Sequence, residues 1–304
     1  MREGRHRGSS TPSGSALREE WIAGLGPTLS TFRELVLEHG RDRYRDLPWR
    51  QTRDPYAIWV SEVMLQQTQV ARVLTRWERF MARFPTLDAL SASARIDLLE
   101  EWQGMGYNRR ALALKQAADI CVRDFAGHLP ETYEALVALP GIGPSTAAGI
   151  MAFSHDAPST YIETNVRAVF IHHFFPDAQD VPDKDIRPLV EATCPDADVR
   201  GWYYALLDYG AELKRTCSNP ARAAKAYVRQ SAFPGSRRQK RAWLLREVMG
   251  AGRMDGDTLA QRLSAFERSE GRDAPSEDDV RSILADLARE GFIEREGDAW
   301  KVCD

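Results

Sequence analysis

Apolar residues recur every three or four positions along most of the chain, the spacing that a helix buries on one face. The clearest stripe comprises Val70, Val73, Leu74, Trp77, Phe80, Met81 and Phe84. Further along, Ser93 is a candidate N-cap for a helix that carries Leu98 and Leu99 and that Gly104 would end. Pro130 suits the first turn of another helix. Alternating runs appear only near the C-terminus, so the pattern predicts an all-α main domain.

A second pattern begins near residue 233, where helices give way to two short alternating runs. Helices are predicted over Ala242–Met249 and Leu259–Phe266, and Ser276 with Asp279 three residues later opens a third. Phe292–Glu294 and Trp300–Val302 are predicted to be strands joined through a turn that contains glycine. Three helices followed by a hairpin are typical of a winged helix, a fold that binds either DNA or another protein.

These patterns divide the chain into a tail, a helical domain and a C-terminal unit. Residues 1–20 are rich in Gly, Ser and Arg without periodicity and are predicted to be a disordered tail. Residues 21–232 form the predicted helical domain, and residues 233–304 the winged-helix-like domain. A chain of 304 residues with 43% hydrophobic and 28% charged residues has enough apolar surface for both.

The composition also bears on the compartment and on metals. No run approaches the ~20 apolar residues of a membrane span, and the N-terminus lacks the apolar core of a secretory signal, so we expect a cytoplasmic, monomeric protein. The four cysteines stand far apart, without a CxxC pair. A compact zinc or iron–sulfur site is therefore not expected, and the thiols are interpreted as reduced and scattered.

The charge distribution is uneven although the net charge is only −3. Between Leu213 and Arg246 stand ten basic residues and no acidic one: Lys214, Arg215, Arg222, Lys225, Arg229, Arg237, Arg238, Lys240, Arg241 and Arg246. A solvated surface usually mixes its signs, so this one-sided segment favours contact with phosphates. A solubilising linker is the alternative.

A turn between two helical patterns has the composition of an anion site. Leu139–Ala147 reads LPGIGPSTA, in which Gly141 and Gly143 allow a tight turn with exposed backbone amides. The next helix begins at once, so its unpaired N–H groups and its dipole point to the same place. Because the Gly-Lys-Ser/Thr of a nucleotide-binding loop is absent, the anion is interpreted as a DNA phosphate. A plain interhelical turn remains the alternative.

Several motifs, in order along the chain, resemble those of one enzyme family. They are Leu47–Arg50 (LPWR), Asp54–Tyr56 (DPY), Ser61–Val70 (SEVMLQQTQV), Gly104–Tyr107 (GMGY), the Leu139–Ala147 turn and Asn165–Arg167 (NVR). Together they resemble the helix–hairpin–helix (HhH-GPD) DNA glycosylases, most closely the adenine glycosylases of the MutY type. The resemblance runs from roughly Leu47 to Tyr209 and implies a two-lobed helical core that extrudes a base from double-stranded DNA.

The resemblance implies a catalytic role for three residues. Glu62 matches the acid that protonates the leaving base, and its apolar surroundings favour the protonated form that this role needs. A carboxylate must also stabilise the cationic sugar, and Glu163 stands where the family has Asp, one methylene longer. Thr164 stands where the adenine branch has Gly. Asn165 is expected to orient the site or to bind phosphate.

The resemblance also implies a set of DNA contacts. Gln67 and Met105 match residues that wedge into the base stack, and Tyr107 lies beside that site; burial of Met105 and Tyr107 in a core is the alternative. The other expected contacts are Thr68, Arg109, Gly141, Gly143, Ser145, Thr146, Lys214 and Arg215.

Three departures from the family narrow the expected activity. Ser145 stands where bifunctional relatives have the lysine that forms a Schiff base, which indicates a monofunctional enzyme. Counting the family's cysteine ligands from Lys214 or from Cys217 leaves at most one thiol, so we expect no [4Fe–4S] cluster, although the hairpin leaves room for a monovalent cation. The C-terminal unit differs from the domain with which adenine glycosylases read 8-oxoguanine.

The resulting hypothesis is a monofunctional glycosylase of base excision repair. Adenine opposite 8-oxoguanine or guanine is the first expected substrate, and thymine or uracil opposite guanine is the second. Because of Glu163 and the altered C-terminus, a lesion-binding protein with weakened catalysis is the alternative from another functional class.

Overall fold

The computed structural model describes residues 15–230 and 232–304, which divide into two compact units. Unit 1 comprises the described residues up to Trp77 together with Ile120–Val228. Unit 2 comprises Glu78–Asp119 and Arg229–Asp304. The C-terminal segment therefore folds with Glu78–Asp119, a segment from the middle of the predicted helical domain. The predicted domain boundary at residue 233 stays a prediction.

Helices make up most of both units, as the hydrophobic spacing predicts. In chain order they are α1 (Ser15–Gly24), α2 (Gly26–Asp42), α3 (Pro55–Leu65), α4 (Val70–Arg83), α5 (Leu87–Ser91), α6 (Arg95–Glu101), α7 (Arg109–Asp124), α8 (Tyr133–Val137), α9 (Pro144–His155), α10 (Thr164–Phe174), α11 (Asp183–Thr193) and α12 (Val199–Thr216). Two 3₁₀ turns, Pro48–Arg50 and Pro220–Ala223, belong to unit 1.

The core of unit 1 forms where α12 packs against α2 and α10. It is rich in aromatic side chains, with the ring of Phe32 5.2 Å from that of Phe170 and 6.2 Å from that of Trp202. Such rings bury a large apolar area each, so this core supplies much of the stability of the unit.

A buried ion pair joins the first 3₁₀ turn to α12. The guanidinium of Arg50 donates two 2.8 Å hydrogen bonds to the carboxylate of Asp208, and both side chains are buried. Arg45 donates a further bond to the same carboxylate, and Arg50 lies 4.3 Å from the centre of the Tyr204 ring. Because an unpaired buried charge is costly, these partners fix the LPWR turn on α12.

The C-terminal part of unit 2 combines three helices with a small sheet. Its elements are α13 (Arg237–Ala251), β1 (Arg253–Asp255), α14 (Gly256–Ser269), α15 (Glu277–Arg289), β2 (Ile293–Glu296) and β3 (Ala299–Val302). The antiparallel sheet has the order β1-β3-β2, with Ile293 opposite Val302 and Asp255 opposite Ala299. Leu99 of α6 lies in the same hydrophobic cluster as these elements, so they do not build their core alone.

Several element boundaries differ from the sequence-based predictions. Ser15–Gly24 is helical, so the predicted tail is too long at its end, and residues 1–14 lie outside the described residues. Ala94, and not Ser93, precedes α6, and Pro130 lies before α8, which Thr132 caps instead. The Thr132 hydroxyl accepts a hydrogen bond from the amide of Ala135, three residues later. This cap determines where α8 begins.

In the C-terminal part, Ser276 caps α15 through the amide of Asp279, which confirms that predicted helix start. Helix α13 begins earlier than predicted, at Arg237, because Ser236 caps it. Strand β1 was not predicted, since three residues are too few for an alternating pattern. The winged-helix interpretation stays a prediction. Within the described residues, no helix is long and apolar enough to cross a membrane.

Candidate active site

Glu62 lies on α3 and shares a hydrogen bond with Tyr161. Asp54 caps this helix and Pro55 occupies its first turn, and almost every residue from Tyr56 to Met64 is buried. The Tyr161 hydroxyl lies 3.0 Å from Oε2 of Glu62. Burial raises the pKa of Glu62 to about 8, while the Tyr161 bond lowers it and the negative charge of Glu163 raises it further. Glu62 is therefore protonated at neutral pH, as a general acid must be.

Gly149 of α9 provides the space for this pair. A Cβ atom at Gly149 would lie 2.6 Å from Oε2 of Glu62 and 2.9 Å from the ring of Tyr161. Real Cβ atoms do not approach other atoms so closely, so any side chain here would displace the acid. Glycine in a helix interior lowers helix stability by about 1 kcal/mol relative to alanine. The presence of this unfavourable residue in a helical pattern was the only sequence signal of its role.

Glu163 is the N-cap of α10. Its Oε1 accepts hydrogen bonds from the backbone amides of Asn165 and Val166, and its Oε2 accepts one from the Asn165 side chain. The carboxylate thus lies at the N-terminus of α10, next to its first unpaired amides. The Glu163 side chain is therefore long enough to act as the cap and is held in one place by it.

Helix α12 supports the α10 N-terminus through Gly210 and Lys214. A Cβ at Gly210 would lie 2.3 Å from the backbone oxygen of Asn165, so only glycine permits this approach. One turn later Lys214 is half-buried, and burial lowers its pKa while the negative charge of Glu163 raises it. The structure therefore places Lys214 near the Glu163 carboxylate as well as in the basic segment.

The turn between α8 and α9 exposes backbone at both of its glycines. Gly141 adopts a φ of +75°, and Ile142 between the glycines is buried and anchors the turn. Gly143 precedes α9 without any side chain capping the helix, and a Cβ there would meet no protein atom within 4 Å. The fold does not need glycine at 143 for internal packing, which fits a surface that a ligand backbone approaches.

Ser145 and Thr146 turn their side chains inward. The hydroxyl of Ser145 donates to the Ile162 carbonyl at 3.1 Å, which ties α9 to the residue before Glu163. The Thr146 hydroxyl accepts a bond from the side chain of Gln66 and is buried. In this conformation the Thr146 side chain does not reach the surface, and the DNA contact of Thr146 stays a prediction.

Two of the predicted DNA contacts adopt strained backbone conformations. Gln67 has a φ of +54° and is exposed, and Tyr107 has a φ of +50° and is 37% exposed. A positive φ is uncommon for side chains of this size, and it concentrates at functional sites. Thr68 follows Gln67 and donates its hydroxyl to the Gln66 carbonyl.

Met105 does not lie on the surface as predicted. Its side chain is only 2% exposed, because Gly104 and Gly106 on either side both adopt a positive φ and turn it inward. The alternative interpretation, a core residue, describes this conformation, and insertion of Met105 into DNA would require the turn to rearrange. Arg110 holds the turn through bonds to the Met105 and Gly106 carbonyls.

Some of the predicted cationic residues are paired with carboxylates. Arg109 donates two hydrogen bonds to Glu290, and Arg237 and Arg241 pair with Asp286 and Glu290 of the α15 region. These partners lie far along the sequence, so the one-sided segment is less basic in space than in sequence. Arg215, in contrast, is exposed in the last turn of α12.

The residues after α12 do not fit an iron–sulfur cluster. The possible ligand positions counted from Lys214 are Ala221, Ala224 and Gln230, and those from Cys217 are Ala224, Tyr227 and Phe233. Within the described ranges, no group of three or more His, Cys, Asp or Glu residues could hold a metal ion. Instead the segment is fastened by backbone bonds, from the Val181 amide to the Ala223 carbonyl and from the Lys225 amide to the Val181 carbonyl.

Comparisons with known sequences identify a family that this chain resembles. A family model described as HhH-GPD superfamily base excision DNA repair protein matches residues 60–194. An adenine DNA glycosylase of Buchnera aphidicola (subspecies Baizongia pistaciae) is 36% identical over 55% of this chain and 48% of its own length. One from Mycobacterium tuberculosis is 42% identical over 41% of this chain and 42% of its own length. The chain thus spans about half the length of the curated relatives it matches.

Solved structures agree on the fold. A thermostable thymine-DNA glycosylase aligns over 61% of this chain and 87% of its own, with a TM-score of 0.56 and 24% identity. Endonuclease III in a non-covalent DNA complex aligns over 71% of this chain and 92% of its own, with a TM-score of 0.50 and 16% identity. These likenesses concern the fold alone. The sequence matches, in turn, show that residues 60–194 of this chain resemble the HhH-GPD superfamily of base excision DNA repair proteins.

Proposed function

We propose that this protein is a monofunctional DNA glycosylase that hydrolyses the N-glycosidic bond of a mismatched or damaged base flipped out of double-stranded DNA. Adenine opposite 8-oxoguanine or guanine is the proposed substrate, since the curated relatives are adenine DNA glycosylases. The observation that carries the proposal is the pair of carboxyl groups in unit 1: Glu62, whose pKa burial raises to about 8, and Glu163, which accepts hydrogen bonds from the first amides of α10.

The two groups divide the reaction between them. Protonated Glu62 donates its proton to a ring nitrogen of the leaving base, so the base departs without negative charge. Glu163, fixed by the α10 amides, stabilises the positive charge that develops on the sugar. The oxygen of a water molecule then bonds to the sugar carbon. The water keeps one proton as part of the new hydroxyl group and releases the other, and an abasic site remains.

The chemistry at the hairpin favours hydrolysis without a covalent intermediate. The Ser145 hydroxyl donates to the Ile162 carbonyl, and a hydroxyl forms no imine with a sugar aldehyde. The exposed amides of the Gly141–Gly143 turn and the first turn of α9 are proposed to bind a DNA phosphate. No [4Fe–4S] cluster is part of the proposal, since the segment after α12 lacks the thiols.

A panel of end-labelled duplexes tests the proposed activity. Each duplex contains one candidate pair: adenine opposite 8-oxoguanine, adenine opposite guanine, thymine opposite guanine or uracil opposite guanine. Alkali after incubation converts an abasic site into a strand break. We expect breaks with the adenine pairs, only after alkali, and a loss of at least about 100-fold in Glu62→Gln.

The panel also separates the proposal from its rivals. Strand breaks that appear before alkali, or a complex trapped by borohydride, would reject the monofunctional reaction. Release of thymine or uracil alone would move the substrate away from adenine. Binding to every duplex without release of any base, with Glu62→Gln equal to the parent, would indicate a lesion-binding protein without catalysis.

A further inference from the structure

Three side chains of unit 2 form a cluster at the surface, which we call the Tyr107 stack: Tyr107, Arg238 and Phe233. The guanidinium carbon of Arg238 lies 5.7 Å from the centre of the Tyr107 ring and 5.4 Å from that of Phe233. Arg238 also donates a 3.1 Å hydrogen bond to the Tyr107 hydroxyl. The cluster thus joins the Gly104–Tyr107 turn to the residues that open α13.

The two rings of the Tyr107 stack are partly exposed. Tyr107 is 37% exposed and Phe233 is 46% exposed. Tyr107 also carries the cost of its φ of +50°, and such backbone strain concentrates at functional sites. Both rings therefore offer surface that a planar ligand can contact.

Neighbouring side chains make the stack rigid. Arg110 lies 5.5 Å from the centre of the Tyr107 ring and bonds to the Gly106 carbonyl, so it fixes the turn from within. On the other side Ser236 caps α13 and donates its hydroxyl to the Phe233 carbonyl, so the backbone of Phe233 is fixed to the start of this helix. The Tyr107 turn and the backbone of Phe233 are therefore ordered before any ligand arrives, which lowers the entropic cost of binding.

Arg238 lies close to aromatic rings on the surface of α13. Arg237 and Arg241 on the same helix pair with Asp286 and Glu290 and fasten α13 to the α15 region. Arg238 lies close to the Tyr107 and Phe233 rings. Proteins stack unpaired bases on aromatic rings and on the planes of arginine guanidinium groups, with the cation close to the phosphates.

We propose that the Tyr107 stack is a DNA-contact site in which Phe233 and Arg238 stack against an unpaired nucleobase. Both residues lie outside the segment that the family model matches, 60–194. This inference rests on the proposed function, because an unpaired base arises when its partner is flipped out. According to this proposal, residues at the start of the C-terminal segment contact the opened duplex directly.

Binding and fluorescence measured on the full-length protein test the site. The probe is a duplex with a tetrahydrofuran abasic analogue opposite 2-aminopurine, whose fluorescence reports on its stacking. We expect Phe233→Ala and Arg238→Ala each to weaken binding by at least about fivefold and to abolish the fluorescence change. Arg238→Lys, which keeps the charge but lacks the plane, should lose the fluorescence change and retain more of the affinity.

Matched controls separate stacking from general effects. Phe125→Ala removes another exposed ring and Arg268→Ala another exposed cation, and both should bind like the parent. Melting temperatures check that each variant is folded. Phe233 and Arg238 variants that bind and report like these controls would overturn the proposal, as would a changed oligomeric state with unchanged DNA binding.

The same experiment distinguishes the two proposals. If the parent releases bases from the duplex panel while the stack variants equal the controls, the glycosylase proposal stands and the stacking site is rejected. If the parent neither binds the probe nor releases any base, the proposed function and the inference both fall.

Discussion

The Tyr161 hydroxyl and Oε2 of Glu62 are 3.0 Å apart; Tyr161 is buried and Glu62 is half-buried. Burial keeps the pKa of Tyr161 well above its ordinary value, so the phenol always has a proton to donate to the carboxyl group. Tyr161 therefore orients the acid and opposes the effect of burial on it. The pair sets the pH range in which Glu62 can act.

The rate of base release should fall as the pH rises through about 8, because Glu62 then loses the proton that it donates. The measurement is the single-turnover rate from pH 6 to 10 on the most rapidly cleaved duplex. Tyr161→Phe removes a bond that lowers the pKa of Glu62, so its alkaline limb should move to higher pH. A limb that does not move, or a rate independent of pH, would contradict the assignment of Glu62 as the acid.

Glu62→Gln should stabilise the folded protein while it removes activity. Between the ordinary carboxyl pKa of 4.5 and about 8, the unfolded chain has lost the Glu62 proton and the folded chain has kept it, so stability falls as the pH rises. Glutamine escapes this penalty, which can reach a few kcal/mol. The difference in Tm between variant and parent should thus be larger at pH 8 than at pH 5. Equal differences at both values would contradict a raised pKa.

Gly149→Ala should reduce the rate by at least about 100-fold, because its Cβ would lie 2.6 Å from Oε2 of Glu62 and shift the acid. The matched control is Gly250→Ala in α13, where a Cβ meets no atom within 4 Å. The control should leave the rate unchanged. DNA affinity measured on an abasic analogue should stay within about threefold of the parent in both variants, since neither change touches the hairpin amides. A fully active Gly149→Ala would contradict the packed arrangement of Glu62.

Three variants of Glu163 separate its charge from its capping role. Glu163→Gln keeps acceptors for the Asn165 and Val166 amides, so we expect a large loss of rate with little change in Tm. Glu163→Ala loses both roles, and the missing cap should cost about 1 kcal/mol. Glu163→Asp keeps charge and cap and should remain active within about tenfold. A strong gain of activity in Glu163→Asp would instead indicate that the longer side chain has weakened catalysis.

Iron should be absent from the working protein. We expect the purified protein to lack the brown colour of a cluster and to keep its Tm and activity after treatment with an iron chelator. The physical reason is that Ala221 and Ala224 are buried apolar residues where the family has thiolates. Stoichiometric iron, measured by elemental analysis, would contradict this prediction.

Periodicity alone predicts most of the helices, because each buries one face of regularly spaced residues. The stripe from Val70 to Phe84 corresponds to α4, and the hairpin glycines stand between two helices as predicted. Helix ends are predicted less well, since several residues near each end can serve as caps and tertiary packing selects one. Three residues of β1 lie below the length at which alternation is recognisable.

For the candidate site, too, features set by the local sequence were predicted and features set by tertiary packing were not. The motifs identified Glu62 and Glu163, but the space at Gly149 and the close approach at Gly210 depend on helices far apart in sequence. The burial of Met105 likewise results from the turn as folded and not from its residue type. The acids that neutralise Arg109, Arg237 and Arg241 come from α15 and the residue after it, so charge counted along the chain overstates the positive surface.

The fastening of Ala223 and Lys225 to Val181 involves only main-chain amides and carbonyls. Such bonds contain no atom that an oxidant removes and need nothing that the cell must first import or assemble. This segment can therefore take its shape by main-chain pairing as soon as the polypeptide folds, and its pairing with Val181 survives oxidation of nearby thiols.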